Sequence, residues 1–344
     1  MNASNKKWKD GLLKTSLPLE YVVARELNDM GFGIQGEFHY LRPDESGITK
    51  EFSIDIWAVT HLLKKDRKIW GELNYLIECK YCYPGITWIF ALHERSDTEY
   101  LMEGGPVYTL DKLCTRQIFN KKPIWNLPKT FPLCSKGVEL HEGGATEQNI
   151  ERGRSQLRYG APRLAAHLSE GQMLTFNDED LHPQFICPVL VTTAELYVLK
   201  KGLALNKFVD AKEVPEIASK VGAVLLTNPH SHLFVDYADK IIGVLHQKFP
   251  DIKDRLEKID GLLKRITGDD KGHPSAWAKL SFNFDIREIS RRILVINLEE
   301  MKSVIKILRK TVVRTANSLT QIGILQKDIS QMKTWISECD ESDL

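Results

Sequence analysis

Leu73-Asn74-Tyr75-Leu76-Ile77-Glu78-Cys79-Lys80 reads as an apolar strand that ends in two opposite charges. Residues two apart in a strand share a face. Leu76, Glu78 and Lys80 therefore point one way, and Tyr75, Ile77 and Cys79 the other. A carboxylate and an ammonium at the end of an apolar strand are costly to desolvate unless they pair or bind something. An intrastrand salt bridge on a solvated face is one reading, and a functional site is the other.

The preceding segment bears on that choice. Glu51 to Thr60 reads as a second strand, with Phe52, Ile54, Ile56 and Ala58 expected on one face and Ser53, Asp55 and Trp57 on the other. The link between the strands, residues 61 to 72, is short enough to return the chain antiparallel and carries Lys64, Lys65, Arg67 and Lys68. The expected product is a hairpin with Asp55 on one strand and Glu78 and Lys80 on its neighbour. Two acids brought together in this way repel, which favours a bound divalent cation. A third acid lies upstream. Ser16 is the expected cap of a helix with Pro18 in its first turn. Leu19, Val22, Val23, Leu27 and Met30 follow helical spacing, and Gly31 ends the run. Glu20 borders that stripe, as a partner of the helix dipole or as part of a site.

A helix with Glu20, a strand with Asp55 and a strand with Glu78-Cys79-Lys80, in that order, resemble the PD-(D/E)XK nuclease superfamily. The likeness covers about residues 10 to 200. Ile54 stands where the motif often has proline, and the literal Pro43-Asp44 lies in a turn-like stretch. The resemblance implies a restriction-endonuclease-like α/β fold, a mixed sheet flanked by helices. It also implies a metal-dependent endonuclease, acting on DNA in restriction or phage defence. Asp55, Glu78 and the Cys79 carbonyl would hold Mg2+ or Mn2+, Lys80 would stabilise the attacked phosphate, and Glu20 would position a second metal or its water. The alternative is a non-catalytic nucleic-acid-binding or assembly protein on the same scaffold.

Further along, Ile34–Tyr40 reads as a strand, Ile86–Ala91 as another strand or a packed loop, and residues 93–144 as an irregular insertion. Thr146 to Leu168 reads as a helix containing Arg154, Gln156 and Arg158. The two arginines would meet phosphate, together with Lys64, Lys65, Arg67 and Lys68, or else lie on a solvated helix face. RecB-like members of the superfamily carry Gln-x-x-x-Tyr in this helix; here Gln156 is three residues before Tyr159, which leaves Gln156 an accessory candidate. Pro188 to Lys200 reads as a core strand and a following strand or hairpin arm. This closes an expected nuclease domain over residues 1–200.

Residues 201–344 are expected to form an α/β to mostly helical region, with Asp210 capping a helix through Val221 and short strands over Val221–Thr227 and Ile293–Ile296. Met301, Ile305, Leu308, Val312, Thr315, Leu319, Ile322, Gln326 and Ile329 form a heptad seam. The seam predicts a long helix over 298–336 that pairs with a second copy or a partner protein, or folds back on its own domain. Between Arg287 and Arg314 eight basic residues outnumber three acids. The whole chain is nearly neutral, with 47 basic and 46 acidic residues, so any polyanion must meet a local patch. No apolar run is long enough to span a membrane, and a cytoplasmic protein is expected. The six cysteines read as free thiols, with a zinc site on Cys79 and Cys82 as the lesser alternative.

Overall fold

The computed structural model describes residues 4–44, 46–64, 69–93, 105–110, 117–118, 124, 127–175, 183–229, 231–250, 286–317 and 320–321. The chain opens with α1 (Ser4–Leu13) and α2 (Leu17–Asp29). Four strands follow, β1 (Gly33–Pro43), β2 (Thr49–Lys64), β3 (Ile69–Lys80) and β4 (Thr87–Leu92). Short β5 (Tyr108–Leu110) and β6 (Gln117–Ile118) precede β7 (Leu133–His141) and β8 (Gly144–Thr146). Then come α3 (Gln148–Thr175), β9 (Gln184–Thr192) and β10 (Glu195–Leu199). Two short helices, α4 (Leu205–Asp210) and α5 (Val214–Ile217), lead to β11 (Ala218–Val221) and β12 (Ala223–Thr227). The last elements are α6 (His232–Lys248), β13 (Arg292–Asn297), α7 (Met301–Asn317) and β14 (Thr320–Gln321).

Twelve strands form one mixed sheet in the order β1-β2-β3-β9-β13-β12-β7-β4-β10-β11, with β5 on β9 and β8 on β7. The β2–β3 hairpin is antiparallel, and β3 runs parallel to β9. Only Thr193 and Ala194 join β9 to β10, a span of about 10 Å. Laid flat, the five strand spacings between them would need about 24 Å. The sheet therefore curls until its halves meet. The seam is held by Asn297 at the end of β13, whose Nδ2 donates to the Ala194 carbonyl at 2.7 Å.

Helices cover both faces. Ile54, Leu76, Leu190 and Val295 pack with Leu157 and Leu164 of α3 and Ile241 of α6. Ile56, Tyr75, Ile77, Cys79 and Val189 pack with Leu19, Val23 and Leu27 of α2 and with Met301, Ile305 and Leu308 of α7. The alternation expected of β3 is thus present: Leu76 enters one core, and its odd-numbered neighbours enter the other.

Several expectations are corrected. In β2, Ile54 and Ile56 enter opposite cores, so Phe52 to Ala58 do not share a face. Gly36 pairs with Trp57 and Phe38 with Ile54, which sets two residues, Asp55 and Ile56, against the single Glu37. This bulge reverses the facing, and Gly36, at φ +95, supplies the backbone turn beside it. Ser16 occupies the N-cap of α2, but its side chain makes no capping bond; its hydroxyl accepts from the Tyr81 N–H at 3.3 Å. Residues 93–144 are not irregular throughout, because β7 pairs with β4 and β12 inside the sheet. β10 is no hairpin arm of β9 but runs parallel to β4.

The expected boundary at residue 200 does not divide the sheet, since β9 pairs with β13 and β7 with β12. The chain beyond Asp210 enters β11 rather than a continuous helix. The helix α7 spans Met301–Asn317, and β14 follows it and pairs with β6. The seam residues Met301, Ile305, Leu308, Val312 and Thr315 are buried, the first four of them within the core against the chain's own sheet. The alternative of folding back therefore holds over 301–317, and the remainder of the expected 298–336 interface beyond Gln321 lies outside the described residues. Cys79 and Cys82 sit in different cores, which separates the pair a zinc site would need. Among the described residues no helix is long and apolar enough to cross a membrane.

Candidate functional site

The bulge and the ends of β3 and α2 bring the predicted residues to one edge of the sheet. Asp55 Oδ2 accepts from the Cys79 backbone N–H at 2.6 Å. Cys79 was expected to contribute its carbonyl; the contact it makes here is through the amide, while its thiol points into the core and burial raises the thiol pKa well above the usual range. Glu78 is 1% exposed, and its Oε1 lies 2.5 Å from the Lys80 ammonium. Two residues apart on one strand face, these side chains reach each other without backbone distortion. The second oxygen of Glu78, Oε2, is buried with no hydrogen-bond partner among the described residues.

Lys80 also donates to Gln156 Oε1 at 3.2 Å. Gln156 comes from α3 and is fixed in turn, with Nε2 donating to the Ser53 carbonyl at 3.2 Å and its own carbonyl accepting from the Tyr40 hydroxyl at 3.0 Å. The accessory residue suggested by the sequence is therefore tied to both the lysine and the Asp55 strand. Glu20 approaches from α2, on the other face of the sheet.

The electrostatics bind these groups into one unit. Burial pushes the Glu78 carboxyl up to about 8; Lys80 pulls it down, and Asp55 and Glu20 push it further up. Burial also raises Glu20 to about 7, with the charges of Asp55 and Glu37 adding to the rise and Lys80 opposing it. Asp55 is raised mainly by burial, against the Cys79 N–H and Lys80, with Glu37 adding to the rise. Like charges sharing a half-buried site disfavour one another's ionisation. Glu37 is a member of this group that the sequence reading missed. It lies opposite the bulge, and the one local signal for it is Gly36 beside it, a glycine interrupting a strand pattern.

Hard carboxylate oxygens and a buried orphan oxygen suit a hard divalent cation. As the side chains stand, no group of three or more His, Cys, Asp or Glu among the described residues could hold a metal ion. The Lys80 ammonium supplies the positive charge at Glu78, so a cation ligated there would require that ammonium to shift toward Gln156 or solvent. Asp55 and Glu78 fit such an ion by donor chemistry.

Lys65, Arg67 and Lys68 lie outside the described residues, and Lys64 ends β2. Arg158 is engaged within the fold: its Nε donates to Asn228 Oδ1 at 2.7 Å and its Nη2 donates to the same oxygen. Burial, then the neighbouring Arg154, lowers its pKa. Arg154 pairs with Glu151 at 2.5 Å. Neither arginine is a freely presented phosphate contact. No protein-family model, no curated protein and no solved structure matches the chain.

Proposed function

We propose that this protein is a divalent-metal-dependent nuclease, an endonuclease hydrolysing phosphodiester bonds of DNA with Mg2+ or Mn2+. The observation that carries this reading is the buried Glu78, which holds Lys80 with one oxygen, leaves the other unpartnered among the described residues, and feels the charges of Asp55 and Glu20. Such an arrangement is incomplete electrostatically. Burying like charges together is costly, and a bound cation offsets that cost.

Asp55 and Glu78 would hold the ion, which supplies Lewis acidity toward a phosphoryl oxygen and the attacking water. Lys80, already cationic partner to Glu78, would place its charge on the phosphate oxygens as negative charge builds. Gln156 would keep the ammonium aimed when it leaves Glu78. Glu20, with a carboxyl raised to about 7, is suited to accept a proton from water near neutral pH. A role in restriction or phage defence follows only from the likeness of the motif.

One observation favours a second reading, a nucleic-acid-binding or assembly protein on this scaffold: the acids do not converge as a ready-made metal site among the described residues. The test is incubation with supercoiled plasmid, linear duplex, single-stranded DNA and RNA in Mg2+, Mn2+ or EDTA, with Asp55→Ala and Lys80→Ala alongside. Metal-dependent cutting that both substitutions abolish is the expected result. No cutting of any substrate, with binding unchanged in both variants, would replace the nuclease reading with the second.

A further inference from the structure

The helix α7 carries five charges, Lys302, Lys306, Arg309, Lys310 and Arg314, all positive. In a chain with one net charge, that is a local concentration. Lys302, Lys306, Lys310 and Arg314 stand four residues apart in succession, and all four are exposed. Positions four apart lie on one helix face, so the cations form a strip about 18 Å long. Like charges at this spacing destabilise a helix, and Lys302 in the first turn also opposes the helix dipole. A solvated face would be better served by interspersed acids, and α7 has none.

Two of the five cations are partly used within the fold. Lys302 lies 3.5 Å from Glu26, and Arg309 donates to the Met30 carbonyl at 2.9 Å. Lys306, Lys310 and Arg314 have no acidic partner among the described residues. The strip also starts at the edge that carries the candidate site. β13 ends at Asn297, in register with Thr192 of β9, which is in register with Lys80 of β3. From that edge α7 runs back alongside α2, the helix that supplies Glu20.

We infer that the outward face of α7, through Lys306, Lys310 and Arg314, docks the phosphate backbone of duplex DNA and extends the footprint of the site along the molecule. This rests on the nuclease reading for its choice of polyanion. The duplex is favoured over a single strand by charge density. From Lys306 to Arg314 the strip is about 12 Å long, along which about seven phosphates of a duplex fall, twice the number on one strand, and a straight, rigid helix presents its cations to a rigid partner.

The test uses the full-length protein in EDTA, with a fluorescent DNA duplex titrated at several salt concentrations. The combined K306Q/K310Q/R314Q substitution should reduce the slope of log affinity against log salt by about 2.7, or about 0.9 per lost contact. At 0.1 M salt that is about a 500-fold loss, if the two proteins bind equally at 1 M. K306R/K310R, which keeps the charge, should bind like the unaltered protein. An unchanged slope in the triple variant overturns the inference. So does an equal loss in the arginine variant, tighter binding of duplex RNA than of DNA, or strip-dependent binding of anionic lipid vesicles without binding of DNA. Metal-dependent cutting is measured separately, so a strip that binds DNA in a protein that never cuts removes the nuclease reading alone. Cutting with an unchanged salt slope removes this inference alone.

Discussion

Replacing Glu78 with Gln should stabilise the protein, and only at high pH. The carboxyl titrates near 4.5 when unfolded and is pushed up to about 8 by burial in the fold. Between those values the native state holds a proton that the unfolded chain has lost, so stability falls as pH rises through the window. Below 4.5 both states are protonated and the group contributes nothing. Above 8 the full cost is present: about 3.5 units at about 1.4 kcal/mol each, or about 5 kcal/mol. Lys80 keeps 19% of its side chain in solvent, and water entering there reduces this ceiling to about 2–3 kcal/mol. For 344 residues the entropy of unfolding is about 0.7 kcal/mol per degree, so the melting temperature should rise by about 3–4 °C at pH 9 and by under 1 °C at pH 5. Circular dichroism melts of both proteins in EDTA at pH 5, 7 and 9 measure this. A difference independent of pH, or a variant less stable at pH 9, would show that Glu78 is not the strained carboxyl described above.

Further expectations concern the site and its support. Because Glu78 holds a proton up to about 8, Mg2+ affinity by calorimetry should climb between pH 6 and 8, roughly tenfold per unit for the proton it releases; a flat profile would exclude Glu78 as a ligand. Asp55→Asn should abolish any Mg2+-induced rise in melting temperature while leaving the EDTA melt within about 1 °C or raising it, because Asp55 too is destabilised by burial. Gly153→Ala would set a Cβ 2.6 Å from Leu190 Cδ1 where α3 crosses the sheet, and overpacking of about 1–3 kcal/mol should lower the melt by about 1–4 °C. Arg158→Met leaves Asn228 Oδ1 without its arginine donor, costing about 1–3 kcal/mol of stability, and should not change the salt slope of DNA binding; a changed slope would return Arg158 to the phosphate-contacting set.

Much of the local structure is legible from residue order alone. The alternation in Tyr75 to Cys79 forecasts which side chain enters which core, and the short charged link between Thr60 and Leu73 forecasts an antiparallel hairpin. The spacing of Leu19, Val23 and Leu27 forecasts the buried stripe of α2. These patterns repeat every 2 or 3.6 residues, so a short window contains them whole. The same windows show that Asp55, Glu78 and Lys80 are charged residues in apolar company, which marks the site before any fold is known.

What the windows omit is pairing between distant segments. A strict period cannot express the bulge that splits Ile54 from Ile56, turns Asp55 toward the Cys79 amide and sets Glu37 opposite. Nothing in the stretch read as an irregular insertion says that Leu133 to His141 forms a strand between β4 and β12, nor that four strands separate β9 from β10 in the sheet order. Arg158 reads as a surface cation until Asn228, 70 residues away, is found against it. The heptad seam of α7 suits a partner helix and an underlying sheet equally well, because burial of an apolar stripe is non-directional. Residue order thus carries the β2–β3 hairpin, the stripe of α2 and the residue types of the candidate site. Strand order, the facing of Asp55 and the surface that covers each apolar stripe depend on contacts between segments far apart in the chain, and they emerge only in the folded protein.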